Sequence, residues 1–232
     1  MHRAAFFVLV VAVAAGAAAV ALAATQSPRK LRTEIFNTAR KQRSVHYEEH
    51  AVGPDLTQTM ASDVARKRGV QRISFTLGKK KGRFTVRVVN KTAYLRGDTE
   101  ALHGYFGFTA AQAASYAGRW IAVRRGQPKY NDLAASVTLP SFLHDIYPGT
   151  PLVLVTTTIS GHQVTGVRGT NRQGGGVEFV EDVFPDKQLR PFGVRDVEPT
   201  KGFVDSFKLG RWNEAVHVAL PAHAVPITTV LG

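Results

Sequence analysis

The sequence predicts an α+β fold: a strongly curved antiparallel sheet, an incomplete and half-open β-barrel, with an N-terminal helix and short helices covering its concave side. Three observations predict it. Period-two segments recur at hairpin spacing in both halves of the chain, strand–helix–strand alternation is absent, and a block of short helical signals separates two runs of strands. Seven or more twisted strands tend to curl, and the central helices are the material available to fill the hollow.

The chain opens Met1-His2-Arg3 and then runs from Ala4 to Ala23 without a charge. Twenty such residues reach about 30 Å as a helix, the thickness of a bilayer's hydrocarbon core. Residues 1–24 therefore read as a signal peptide or an N-terminal membrane anchor, and the chain as extracytoplasmic. Ala21-Leu22-Ala23 offers an A-x-A cleavage site, while the length of the run favours retention. Six Lys/Arg between Arg29 and Arg43, against one before the run, oppose a cytoplasmic N-terminus. Both fates of the segment stay open. Residues 28–232 read as a single domain.

Ser27-Pro28 is a helix-start signal, a cap residue followed by proline. Leu31, Ile35 and Ala39 recur at helical spacing among basic residues, predicting an amphipathic helix over 28–43. From Ser44 the period changes to two, giving strands at 44–52, 70–77 and 83–89, with Gly78 to Gly82 (GKKKG) as a hairpin loop. Ile73, Phe75, Leu77, Phe84, Val86 and Val88 share one face, and Arg72, Ser74, Thr76, Arg83, Thr85 and Arg87 take the wet one. A strand at Thr92–Arg96 follows. Asp98 caps a helix to about Tyr105, and Thr109 with Gln112 forms a capping box for another that ends near Gly118. Arg119–Val123 is a strand carrying Trp120. Short helices at 131–136 and 139–146 precede Pro148-Gly149, and Ser160-Gly161 turns a hairpin of 152–159 with 163–169. Further strands fall near 177–183, 190–197 and 202–208. From Trp212 the tail reads as extended, with Pro221 and Pro226 against regular structure.

Composition narrows function. There is no cysteine, which excludes disulfides, thiol catalysis and a lipid-modified cysteine. The formal charge of +13 is uneven: residues 25–130 carry 21 Lys/Arg against 7 Asp/Glu, whereas 131–232 carry 8 against 10. Outside the cytoplasm a basic surface meets an anionic membrane surface or wall polymer, not nucleic acid. The same charge also serves simple solubility. Arg66-Lys67-Arg68 and Lys79-Lys80-Lys81 read as membrane-facing basic loops.

The stretch AYLRGDTEALHGYFGFTAAQAASYAGRWIAV, Ala93 to Val123, resembles exported actinobacterial proteins of the LppX/LprG lipoprotein type. There a strand and small-residue turn lead to a helix, an F-G pair, an alanine-rich helix and Y-A-G-x-W-I, which is Tyr116-Ala117-Gly118-Arg119-Trp120-Ile121 here. The hairpin at Ser160-Gly161 and the ending RWNEAVHVALPAHAVPI are also similar, so the likeness spans most of residues 30–228. The resemblance implies a LolA-like half-barrel around an apolar cavity, and a carrier or chaperone that binds lipid acyl chains, with no cofactor and no catalytic residues. The chain departs from that family in lacking the lipid-modified cysteine after the signal. A lipoprotein or membrane protein is a further partner of such a carrier, and the alternative is a non-enzymatic envelope sensor or protein-interaction module on the same fold.

The residues agree with this without compelling it. Ile73, Phe75, Leu77, Phe84, Val86 and Val88 from the sheet, with Tyr105, Phe106, Trp120 and Leu143 from the cover, can form a dry core or an acyl pocket. The two differ in volume, which sequence does not carry. His46-Tyr47-Glu48-Glu49-His50 matches H-x-x-E-H, but zinc chemistry needs both histidines on one helix face, and the flanking period is that of a strand. Arg172 to Gly176 is glycine-rich without the G-K-[ST] of a phosphate loop, and reads as a hairpin loop.

Overall fold

Residues 26–159, 161–172 and 178–231 are described by a computed structural model. The predicted signal or anchor and the glycines at 174–176 lie outside the described residues. Ser27 accepts a hydrogen bond from the Lys30 amide at 3.3 Å and opens α1 (Pro28–Lys41), with Pro28 in the first turn, where its missing N–H costs nothing. An antiparallel meander follows: β1 (Ser44–Val52), β2 (Leu56–Ala65), β3 (Arg68–Leu77), β4 (Lys80–Val89) and β5 (Thr92–Gly97). Asp98 Oδ1 then caps the Ala101 amide at 2.8 Å, and the chain makes one wide turn, Ala101–Tyr105, closed by the Phe106 amide on the Ala101 carbonyl at 3.1 Å. Next come α2 (Ala110–Tyr116), β6 (Ile121–Arg124), α3 (Tyr130–Ala134) and α4 (Leu139–Asp145). The predicted capping box of Thr109 with Gln112 is formed, and Thr138 with Ser141 forms a second one.

The second strand run comprises β7 (Gly149–Ile159), β8 (His162–Arg172), β9 (Glu178–Pro185), β10 (Pro191–Glu198) and β11 (Phe203–Gly210). The tail ends in β12 (Val225–Pro226) and α5 (Ile227–Leu231). All strands join one twelve-stranded sheet in the order β12-β6-β5-β4-β3-β2-β1-β11-β10-β9-β8-β7, antiparallel except for β12 on β6. Its two ends do not meet, so the sheet is a curved, open half-barrel. The β1–β11 pairing stitches the two strand runs into one wall.

Three local expectations are corrected. The second meander strand, β2, is absent from the sequence reading because two of its five inward positions are polar, Gln58 and Ser62, which blurs the period-two signal. The GKKKG loop is only a Gly78-Lys79 turn: Gly78 takes φ +59°, and Lys80 already pairs with Leu77. The tail is not extended throughout. Ile227 and Val230, three residues apart, bury one face of α5 against the sheet, and Pro226 precedes that helix without breaking it.

Two apolar clusters fill the concave side. One joins β3, β4, β5 and β6 to the wide turn, α2, α3 and α5. The other joins β1, β2, β8, β9, β10 and β11 to α1 and α4. Tyr47 belongs to the second cluster yet reaches across: its buried hydroxyl donates to the Ser136 carbonyl at 2.8 Å and accepts from Gln71 Nε2 at 2.6 Å, while its ring stacks on Phe142 at 4.0 Å. Those bonds tie the α3–α4 connection to the sheet. Gly69 allows the approach, since a Cβ there would lie 1.9 Å from the Val137 carbonyl oxygen.

Candidate functional site

Between the two clusters the packing leaves a cavity of about 310 Å³. It has a floor from the concave face of β1–β4 and β9–β11, and a cover from the wide turn, α3 and α4. Its size is at the lower end of the about 300–1,000 Å³ typical of ligand sites. The position follows from the fold: α1 and α4 cover one half of the hollow and the short central elements the other, and the seam between them stays open.

Five sequence-predicted residues line it: Ile73, Phe84, Val86, Tyr105 and Phe106. The rings cluster, Phe84 lying tilted 4.9 Å from Tyr105 and edge-on 4.8 Å from Phe106 between centroids, with Tyr105 46% exposed at the mouth. Five others sit elsewhere. Phe75 packs behind Tyr105 at 5.4 Å, and Val88 is buried deeper in the first cluster. Leu143 is buried in the second cluster, on a part of α4 that does not face the cavity. Leu77 has the inward parity but lies at the hairpin tip, past the end of the cover, and is 40% exposed. Trp120 is on the convex side, with the Arg87 guanidinium 4.5 Å and that of Arg96 6.0 Å from its ring centre.

The basic residues also separate. Arg66 and Lys67 lie in the β2–β3 turn and Arg68 opens β3, whereas Lys79 sits in the β3–β4 turn, with Lys80 and Lys81 opening β4. The two groups therefore flank a ten-residue strand, about 30 Å apart. Arg66 bonds the Arg40 carbonyl at 2.9 Å and Lys80 pairs with Glu100 at 2.9 Å. Between them, Arg72, Arg83, Arg87 and Arg96 form a stripe on the convex face. Burial lowers the Arg87 pKa, and the charges of Arg72 and Arg96 lower it further.

H-x-x-E-H lies on β1, where His46 and His50 face out and Tyr47 and Glu49 face in. His46 Nδ1 lies 2.9 Å from Asp63 Oδ1. Among the described residues no three His, Asp or Glu side chains converge as metal ligands.

What the sequence reading missed is acid. Glu49, Asp132, Asp145, Asp196 and Asp205 line the cavity, and no lysine or arginine does among the described residues. Register explains part of this: Asp196 lies directly opposite Asp205 on β11 and opposite Glu181 on β9, so three carboxyls stand in one cross-strand row. Glu49 is diagonal to Asp205, which pairs with Ala51. Glu181 and Asp196 are 0% and 2% exposed. Burial, then the neighbouring carboxylates, raises the pKa of Asp196 to about 7 and of Asp205 to about 9; burial alone raises Glu49, against the Gln58 hydrogen bond. Gln58 Nε2 donates to Glu49 Oε1 at 2.7 Å, whereas Asp196 Oδ1 and Asp205 Oδ1 have no hydrogen-bond partner. Glu181, Asp196 and Asp205 stand at inward positions of three strands, and only the strand register shows that they are neighbours.

No protein-family model and no curated protein matches the chain. Among solved structures it is similar to LprF from Mycobacterium bovis, with 14% identity and a TM-score of 0.51 over 84% of this chain and 97% of that one. It is also similar to the Mycobacterium tuberculosis lipoprotein LppX, with 16% identity and a TM-score of 0.50 over 83% of this chain and 100% of that one. The chain has the fold of these two proteins, a half-barrel of the LppX type.

Proposed function

We propose that the chain is a non-enzymatic, extracytoplasmic carrier that holds acyl chains of a lipid or lipoprotein in the cavity between its two clusters. The cavity itself is the observation that supports this: a space of about 310 Å³ in the middle of the concave face, walled by Ile73, Phe84, Val86, Phe106, Leu133 and Phe142. Every methylene that leaves water there contributes about 0.8 kcal/mol, so a chain of moderate length is held without a dedicated polar contact. The likeness to the lipoprotein LppX supports the same reading at the level of the fold. The apolar segment at 1–24 anchors or exports the domain, and the convex arginine stripe rests against an anionic surface.

A cavity-filling variant tests the proposal. Val86 is 2% exposed and lines the cavity, so Val86→Trp occupies the space a chain would take. The natural protein takes up a neutral fluorescent acyl lipid and releases it to unlabelled lipid, and a folded Val86→Trp variant does not. Uptake by neither protein, or equal uptake by both, contradicts the carrier reading. A protein partner recovered by cross-linking, with no lipid uptake, would instead favour an interaction module.

A further inference from the structure

We infer that the polar end of the ligand held in this cavity is a cation of the alkylammonium type, received by the carboxyl row on β9, β10 and β11. The inference rests on the carrier reading and adds the headgroup to it. Its ground is an imbalance. The chain carries a formal charge of +13, yet the one described cavity between the two clusters is lined by five carboxyl side chains and no Lys or Arg. Asp196 is 2% exposed, lines the cavity and has an oxygen without a hydrogen-bond partner. Asp205, directly opposite it, has another. Buried carboxyls with unmatched oxygens are costly, and structures normally answer them with a donor.

Among the described residues no other group donates to Asp196 Oδ1 or Asp205 Oδ1. From β1, Glu49 takes its donor from Gln58. From β9, neither Glu181 oxygen is in a hydrogen bond of normal geometry; the Asn171 amide stands beside it and also donates to the Asp145 carbonyl. Its strand neighbour Asp182 is matched by Arg168 at 2.6 and 2.8 Å, and that guanidinium is thereby committed. From α4, Asp145 takes the Ser136 hydroxyl, and from α3 Asp132 adds only another carboxyl at the wall. An ammonium group has three donors and the charge the row lacks; a hydroxyl has one donor and no charge. A fatty carboxylate would bring a further negative charge. Beside the row stand Phe179, Phe203 and Phe207, so a chain attached to the cation would lie against aromatic wall.

Binding would also exchange protons. Burial and mutual repulsion hold protons on the free row, and a bound cation reverses that preference, so carboxyls give protons up to the medium as the ligand enters.

The test compares three probes of one chain length, decylamine, decanol and decanoate, by titration calorimetry on the full chain and on Asp196→Asn and Asp205→Asn. The inference expects decylamine to bind about tenfold or more tighter than decanol, with decanoate weakest. It expects about one proton released per decylamine at pH 6.5, read from the dependence of the heat on buffer ionisation enthalpy. In either variant the preference for amine over alcohol shrinks while decanol binding persists, which shows that the variant is folded. Equal binding of the three probes, or an amine preference unchanged in both variants, overturns the headgroup and leaves the carrier standing. No binding of any probe overturns both.

Discussion

Asp196→Asn is expected to stabilise the protein, increasingly so as pH rises. Asp196 is 2% exposed, faces Asp205 and Glu181 across the sheet, and has its pKa raised from 3.8 to about 7, chiefly by burial and then by the charges of Glu49 and Asp182. A carboxyl with a raised folded pKa binds more protons folded than unfolded between those two values. Its contribution to stability is therefore greatest at low pH and declines as pH climbs from about 4 through 7. At about 1.4 kcal/mol per tenfold change in proton affinity, ionising this one group costs on the order of 4 kcal/mol by pH 8, a figure that belongs to the row as a whole. Asparagine keeps the shape, never ionises and offers an N–H to Asp205 or Glu181. The thermal midpoint of the variant should exceed that of the natural protein by a margin that grows by about 5–10 °C between pH 5 and pH 8. A margin that stays constant or narrows over that range would refute the account of the row.

Other expectations follow from packing. Tyr47→Phe leaves the Gln71 amide and the Ser136 carbonyl each without its present partner, at a cost of about 1–3 kcal/mol in denaturant unfolding. Gly69→Val forces the Val137 carbonyl off the sheet and should cost about 1–3 kcal/mol or more, with loss of order in the α3–α4 connection seen as faster amide exchange. Trp120→Ala removes a ring on the convex side, so uptake of the neutral fluorescent acyl lipid should be unchanged while the Arg87–Trp120 stack is lost. Uptake that falls with Trp120 would put the binding site on the wrong side of the sheet.

Much of the fold was legible because local chemistry and tertiary structure agree. Strand β1 falls at 44–52 as its alternation predicts, and the boxes at Thr109 and Thr138 start helices where their side chains say. β2 was hidden because inward Gln58 and Ser62 interrupt the apolar period, Gln58 serving Glu49. The cavity wall was half legible. Ile73, Phe84 and Val86 are inward by parity, but parity cannot tell that Leu77 lies beyond the cover or that Trp120 turns outward to Arg87. The acidic row was illegible for a different reason. Glu181, Asp196 and Asp205 come from three strands, and only their pairing register sets them side by side.

The central claim is that the cavity carries a lipid. Native mass spectrometry of the full chain, purified from its own membrane without added lipid and followed by extraction, tests it most directly. The account predicts a bound species at about one per chain that extracts into organic solvent and is absent from Val86→Trp. A chain of bare protein mass, with no extractable lipid in either form and none taken up on incubation, would contradict it.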